Sequence, residues 1–323
     1  MSATTSPTSP VLPTGSSLRA ERWRLRARNA RAFGARYVRR GDGVVGLAIL
    51  LVFAVLAIAP SVFVGPLETA TTATGASLEP PSAAHIFGTD ELGRDILNLT
   101  VHGARVSMTI GLLATLITVV FGALIGIVAG FLGGSTDNVL MRFTDFFLVL
   151  PTFVLAIILA PVILDIVGTD AELFGIRATL LVIVIVIGLT SWATTARIIR
   201  SQTLSIRERM YVDRARVIGS GSAHIMRRHI LPNVVNLIVA QAVLTFATAV
   251  FTETSLSFIG LGDPFAPSWG QILESAQSAG APGLGAWWYI VPPATCVVLV
   301  VLSFTLVGNA LDDILNPKSA TRR

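Results

Sequence analysis

Six long apolar runs constrain this chain more than any other feature. They lie near Val44–Val64, Val106–Phe131, Phe146–Val167, Ala178–Ile198, Val234–Thr254 and Trp287–Leu311. Each is long enough to cross about 30 Å of hydrocarbon as a helix. Lipid offers no partners to backbone N–H and C=O groups, so such runs must pair their own backbone internally. The expected fold is therefore an all-α membrane protein with six transmembrane helices. Composition agrees, because 53% of the 323 residues are hydrophobic and only 13% charged, which excludes an ordinary soluble domain. Cys296 is the lone cysteine, so no disulfide can form within the chain.

Charge then orients the spans. If the first run leaves the cytoplasm, 21 of the 24 basic residues fall inside, and only Arg94, Arg105 and Arg177 fall outside. That asymmetry follows the positive-inside rule and predicts that both termini are cytoplasmic. Trp287, Trp288 and Tyr289 are expected to mark the outer interface of the last span. The domain plan is a disordered Ser/Thr/Pro tail over 1–17, a basic interfacial segment over 18–42, a six-helix domain over 43–314 and a cytoplasmic tail over 315–323. Residues 18–40 hold nine arginines, with Trp23, Ala27, Ala30, Gly34 and Tyr37 on one helical side, suited to an anionic leaflet. They abut a span directly, which argues for the lipid bilayer as their partner and against nucleic acid.

Between the fourth and fifth runs lies a polar, Arg-rich island, 205–233. Ser205 and Glu208 stand at capping-box spacing, which predicts a helix start there. The helix continues through Tyr211, Asp213, Ala215 and Ile218 until Gly219 and Gly221 end it by taking φ > 0. A second short helix over Ser222–His229 leads into Leu231 and Pro232, the latter suited to the first turn of the next span. Two short helices around a glycine hinge have the shape of a docking element rather than a solvated loop.

Polar residues inside the runs divide by role. Gly122, Gly126 and Gly130 form a small-residue stripe for close helix packing. Pro151, Pro161, Pro292 and Pro293 predict kinks. Asn236, Gln241, Glu253 and Asn309 are candidates to line a wet translocation path, with a structural partnership as the alternative for Glu253. The outer loops, 65–105 and 256–286, exceed what simple connections need. Gate or loop packing is the expected role of Thr89, Asp90, Glu91, Arg94, Asp95 and Trp269, ahead of direct substrate contact. Thr89 is expected to cap a short helix whose first turn holds Asp90 and Glu91.

These residues carry a family resemblance. Asp213-Arg214-Ala215 followed by Gly219, then His229-Ile230-Leu231-Pro232, resembles the E-A-A-x-x-x-G…I-x-L-P coupling motif of permeases in binding-protein-dependent ABC importers. Asp213 departs from it by a shorter acidic arm, Arg214 by bulk, and His229 by standing where isoleucine is expected. Phe87-Gly88-Thr89-Asp90-Glu91-Leu92-Gly93-Arg94-Asp95, Leu256-Ser257-Phe258-Ile259-Gly260-Leu261-Gly262 and Pro267-Ser268-Trp269-Gly270 are similar to the C-type permease of the dipeptide/oligopeptide/nickel group. The likeness covers roughly 40–317. It implies a type I importer fold, a bacterial inner (plasma) membrane location and a peptide cargo, with nickel as the alternative. It also implies four kinds of partner: a B-type permease, two cytoplasmic ABC ATPases, an extracytoplasmic peptide-binding protein and the bilayer. Tyr211, Asp213, Arg214, Ala215, Gly219, His229, Leu231 and Pro232 would form the coupling region.

The remaining chemistry is spare. His85, His102, His224 and His229 all fall outside the runs or at their edges, so no buried base faces an intramembrane nucleophile. No H-E-x-x-H or paired cysteines offer a metal site. A phosphate loop needs a lysine among glycines, and Lys318 follows Pro317 without them. The chain is thus expected to be non-catalytic and to bind no cofactor itself, with ATP and Mg on the partner ATPases. An ion-coupled carrier would need internal repeats and more intramembrane charge than Glu253 and Asp165.

Overall fold

The computed structural model describes residues 34–168, 172–173 and 176–315, together with Arg28. The expectations for 1–17, for most of 18–33 and for 316–323 lie outside the described residues.

The regular structure of the described residues is helical, apart from a two-residue antiparallel pairing of β1 (Glu172–Leu173) with β2 (Ile176–Arg177) and an isolated bridge between Thr89 and Asp95; 65–95 and 262–268 are irregular loops. Among them, five helices are long and apolar enough to cross a membrane, and the count is six if a pair bent by 91° is one span. The first span is α1 (Gly41–Ile58), which continues after Ala59 as the short α2 (Pro60–Val64) with proline in its first turn.

The second span, α3 (Ile96–Leu132), starts well before the expected Val106. The reason is local: Asp95 caps it, its carboxylate accepting the N–H of Leu97 at 2.7 Å and of Asn98 at 3.2 Å. The short helix expected after Thr89 does not form, since 90–94 is a turn, and the Thr89 hydroxyl instead donates to Ala76 O and accepts the Glu79 N–H, holding the preceding loop together. From α3, Arg105 reaches back to donate to the carbonyls of Ala57 and Ile58, which α1 leaves unpaired at its end.

The third span is broken. Helix α4 (Gly134–Val149) stops at Leu150 and Pro151, and α5 (Thr152–Val167) leaves at that 91° angle. The bend falls at Pro151, as expected for a residue that restricts its predecessor to extended backbone. Pro292 and Pro293 behave otherwise. They fall in the first turn of α11, introduced below, where missing N–H groups cost nothing.

The fourth span, α6 (Ala178–Arg207), lies along α3. The glycine stripe explains the fit. A Cβ at Gly122 would come within 2.7 Å of Trp192 O, at Gly126 within 2.5 Å of Ala196 O, and at Gly130 within 2.8 Å of Thr203 Cβ. After α6 come α7 (Met210–Val217), α8 (Ser222–Ile225) and a π-helical turn, Met226–Ile230, that runs without a break into α9 (Leu231–Leu256). A second π turn follows, and then α10 (Trp269–Ser278), a 3₁₀ turn over Trp287–Tyr289, and α11 (Val291–Leu315). Helix α11 packs on α1 and α9, closing the bundle.

Candidate coupling element and polar groove

At the arginine-rich end of the bundle, the short helix α7 hangs directly from α6. The capping box expected at Ser205 and Glu208 does not form, because α6 continues through both Ser205 and Arg207. Arg209 takes the N-cap position of α7, with no side-chain cap bond. Val212 and Ala215 are buried against Phe131, Ile206, Ile225 and Ile230, so the small side chain of Ala215 serves close approach to the chain's own helices. The opposite face is bare: Met210 is 74% exposed, Val217 87% and Ile218 82%. These three, with Asp213 and Arg214, line an open apolar hollow of about 460 Å³. Asp213 pairs with Arg216 at 3.1 Å one turn on, and Arg216 lies over the Phe131 ring.

Gly219 ends α7 at φ +86°, with Gly219 N bonded to Arg216 O and Ser220 N to Ala215 O. This is a Schellman closure, which requires the left-handed conformation that glycine adopts without strain. Gly221 plays no such part, since its φ is −66° and it precedes α8 as N-cap. Beyond it, the His229 ring lies 6.1 Å from Tyr211 and 6.3 Å from His224, which gathers three aromatic side chains beside α7. Leu231 and Pro232 are exposed at the start of α9.

Between α5, α6 and α9 runs a cavity of about 310 Å³. Its polar lining is neutral: Thr152, Ser191, Thr194, Thr195, Gln241, Thr245, Thr248 and Thr252. Of the four expected path residues only Gln241 faces it. Asn236 and Asn309 are exposed on other faces. Glu253 is completely buried, its carboxylate accepts hydrogen bonds from Ser257 at 2.9 Å and from Thr254, and the Ser107 and Ser268 hydroxyls lie beside it. Its surroundings tie α3, α9 and the start of α10 together. The signal that would have found the groove is the spacing Gln241, Thr245, Thr248, Thr252, one face of a helix.

The loop-rich end is densely bonded. Asp90 accepts from Leu92 N, Arg94 N and Arg94 Nε, the last at 2.6 Å. Glu91 accepts the Tyr289 hydroxyl at 2.6 Å, and Trp288 donates to Thr89 O. Tyr289 is therefore buried rather than an interfacial marker, while Trp287 remains 59% exposed. Trp269 is fully buried, donating through Nε1 to Thr100 O at 2.9 Å and through its backbone N–H to Ser107.

Residues 122–321 match the family model described as "Binding-protein-dependent transport system inner membrane component". The chain belongs to this family. It is 36% identical over 283 residues to the dipeptide transport system permease protein DppC of Bacillus subtilis (strain 168), covering 85% of this chain and 81% of that one. It is 35% identical over 278 residues to the oligopeptide transport system permease protein OppC of the same strain, covering 85% of each. A putative peptide transport system permease protein of Brucella suis biovar 1 (strain 1330) is 34% identical, over 88% of this chain and 90% of its own. Among solved structures, a chain from the inward-facing MetNI methionine ABC transporter superposes with TM-score 0.52 at 21% identity, over 70% of this chain and 97% of its own. That likeness shows the fold alone. As a membrane component of such a transport system, the chain is a non-catalytic permease, and it crosses the membrane several times.

Proposed function

We propose that this chain is one transmembrane half of an ATP-driven importer that carries short peptides into the cytoplasm. One observation carries the reading: α7 presents Met210, Val217 and Ile218 to solvent at the end of a span, where an apolar surface of this kind marks a protein contact. The contact fits a cytoplasmic ABC ATPase, one on this chain and one on a B-type permease that completes the pore. ATP and Mg belong to those ATPases. Because α7 hangs from α6 across only Glu208 and Arg209, movement of the ATPase is passed to a wall of the groove. Gly219 fixes the turn, and Tyr211 with His229 shapes the flank of the contact.

Peptide is favoured over nickel by the relatives, which are named for dipeptide and oligopeptide transport. The neutral hydroxyls and amide of the groove suit such cargo. They pair with any peptide backbone and hold no charge that would trap one side chain. In this orientation the arginine-rich end and both termini are cytoplasmic, the loop-rich end faces outward, and an extracytoplasmic binding protein delivers the peptide.

The test is ATP hydrolysis by the complex reconstituted with both permeases and both ATPases. Loaded binding protein should stimulate it, and Val217→Asp with Ile218→Asp should abolish the stimulation while the permease pair still assembles. Unchanged stimulation would remove α7 from the coupling path. Orientation is checked separately by cysteine labelling in sealed cells, where a thiol placed at Ser77 reacts with an impermeant reagent and one at Ser222 does not.

A further inference from the structure

At the loop-rich end, a cavity of about 380 Å³ opens between the segment after α2 and the segment that leads into α10. Its walls are of two kinds. Leu99, Ile272 and Phe265 supply an apolar floor and rim, while Glu68, Arg94 and Gln271 supply polar groups. The two charged side chains are held by partners that leave part of each available. Glu68 accepts the backbone N–H of Asp95 at 2.7 Å through Oε2, and Oε1 has no partner among the described residues. Arg94 donates from Nε to Asp90, and its terminal nitrogens have no partner among the described residues. Neither head group has to be ordered on binding, because the loop already orders both; this lowers the entropic cost of association.

One carboxylate and one guanidinium fork on the walls of one small apolar cavity match a ligand with a cation, an anion and apolar substituents. We infer that this cavity is a receiving site for a zwitterionic short peptide, with Glu68 taking the terminal ammonium and Arg94 the terminal carboxylate. The guanidinium suits a carboxylate because two parallel N–H groups meet its two oxygens. The apolar floor takes the side chains without selecting among them. A volume near the lower bound of ligand pockets, about 300 Å³, suits a small ligand such as a short peptide. The site would hold peptide between release from the binding protein and entry to the groove. This inference rests on the peptide-import reading and on the outward orientation proposed above.

The probe is L-alanyl-L-alanine, compared with its N-acetylated, C-amidated form, by saturation-transfer NMR on the whole transporter in nanodiscs without binding protein. The free dipeptide should give a stronger signal than the blocked form, which keeps only the backbone pairing that the groove offers. Glu68→Gln preserves an acceptor for Asp95 N but removes the charge, and should weaken binding about tenfold, the loss of one charge-assisted hydrogen bond. Ser275→Phe removes no hydrogen bond that holds the loop and fills the cavity, and should lower the free dipeptide's signal to that of the blocked form. Size-exclusion chromatography of each complex shows whether it is assembled. Equal signals for free and blocked dipeptide, or full binding by both assembled variants, would overturn the site. Loss of binding-protein docking in Ser275→Phe with dipeptide binding intact would also overturn it, assigning the cavity to the binding protein. Uptake of dipeptide by wild-type proteoliposomes tests the import reading by itself: uptake with no cavity signal ends the site alone, whereas no uptake ends the reading on which it stands.

Discussion

At the loop-rich end, bonds within the chain tie the loops to the helices: Asp90 with Arg94, Glu91 with Tyr289, Asp95 with the α3 N–H groups, Trp269 with Thr100. At the arginine-rich end, α7 keeps only Val212 and Ala215 buried and leaves its larger apolar side chains in solvent. One end is finished by its own residues, and the other is left to be completed by another chain. The contrast teaches where stability and where transmission reside. Removing a side chain from the finished end should unfold it. Removing one from the open end should disconnect it.

Four substitutions break or sharpen that contrast, from the largest expected effect down. Trp269→Ala empties a fully buried site that also ties α10 to α3, and should cost about 3–5 kcal/mol, read as a fall in thermal stability of the purified permease pair. A loss below about 1 kcal/mol would mean the finished end contributes little. Gly219→Val places a β-branched residue at φ +86°, where nothing crowds the added Cβ, so the cost is backbone strain of about 1–3 kcal/mol. It should be felt locally: the complex assembles, while ATPase stimulation by loaded binding protein falls. Asp95→Ala strips the cap from α3 and should cost about 0.5–2 kcal/mol in chemical denaturation, with no change in ATPase affinity. Val217→Ser with Ile218→Ser should alter stability by no more than about 0.5 kcal/mol, because both side chains already sit in water. The same pair should weaken ATPase binding measured by co-purification. If it destabilised the chain instead, α7 would be part of the core and the contrast would fail.

How far these ends were legible differs in the same way. The spans were plain because lipid forces every apolar run into a helix, and the Gly122, Gly126, Gly130 stripe named its packing face without naming the partner, α6. Gly219 was legible because only one backbone conformation closes α7 there. Ser205 and Glu208 misled because a capping box states only that a helix can begin, and the packing of α6 on α3 carried the helix past it. Thr89 reads as a cap by residue type, but its hydroxyl is taken by a loop folding back over many residues, a non-local event. Glu253 read equally as a path residue or a structural partner, because charge in a span is costly wherever it points, and it is the partner. Its serine neighbours come from three segments that sequence does not bring together. The hydroxyl groove was missed because threonine in a membrane helix commonly bonds its own backbone, as Thr248 and Thr252 do here.

The break at Pro151 has a consequence for the membrane itself. Helix α5 has 16 residues, a length of about 24 Å, whereas the hydrocarbon layer is about 30 Å thick. A span that short creates hydrophobic mismatch. The bilayer must thin beside it, or α4 must sink its apolar side chains, Val139, Phe143 and Phe146, into the acyl region to make up the difference. Either adjustment makes lipid thickness a mechanical load on the helix that Arg197 and Arg200 of α6 fasten through Asp145 and Asp137. Transport in vesicles of graded acyl length should therefore decline as the chains lengthen, so that membrane composition acts as a dial on the same span that lines the groove.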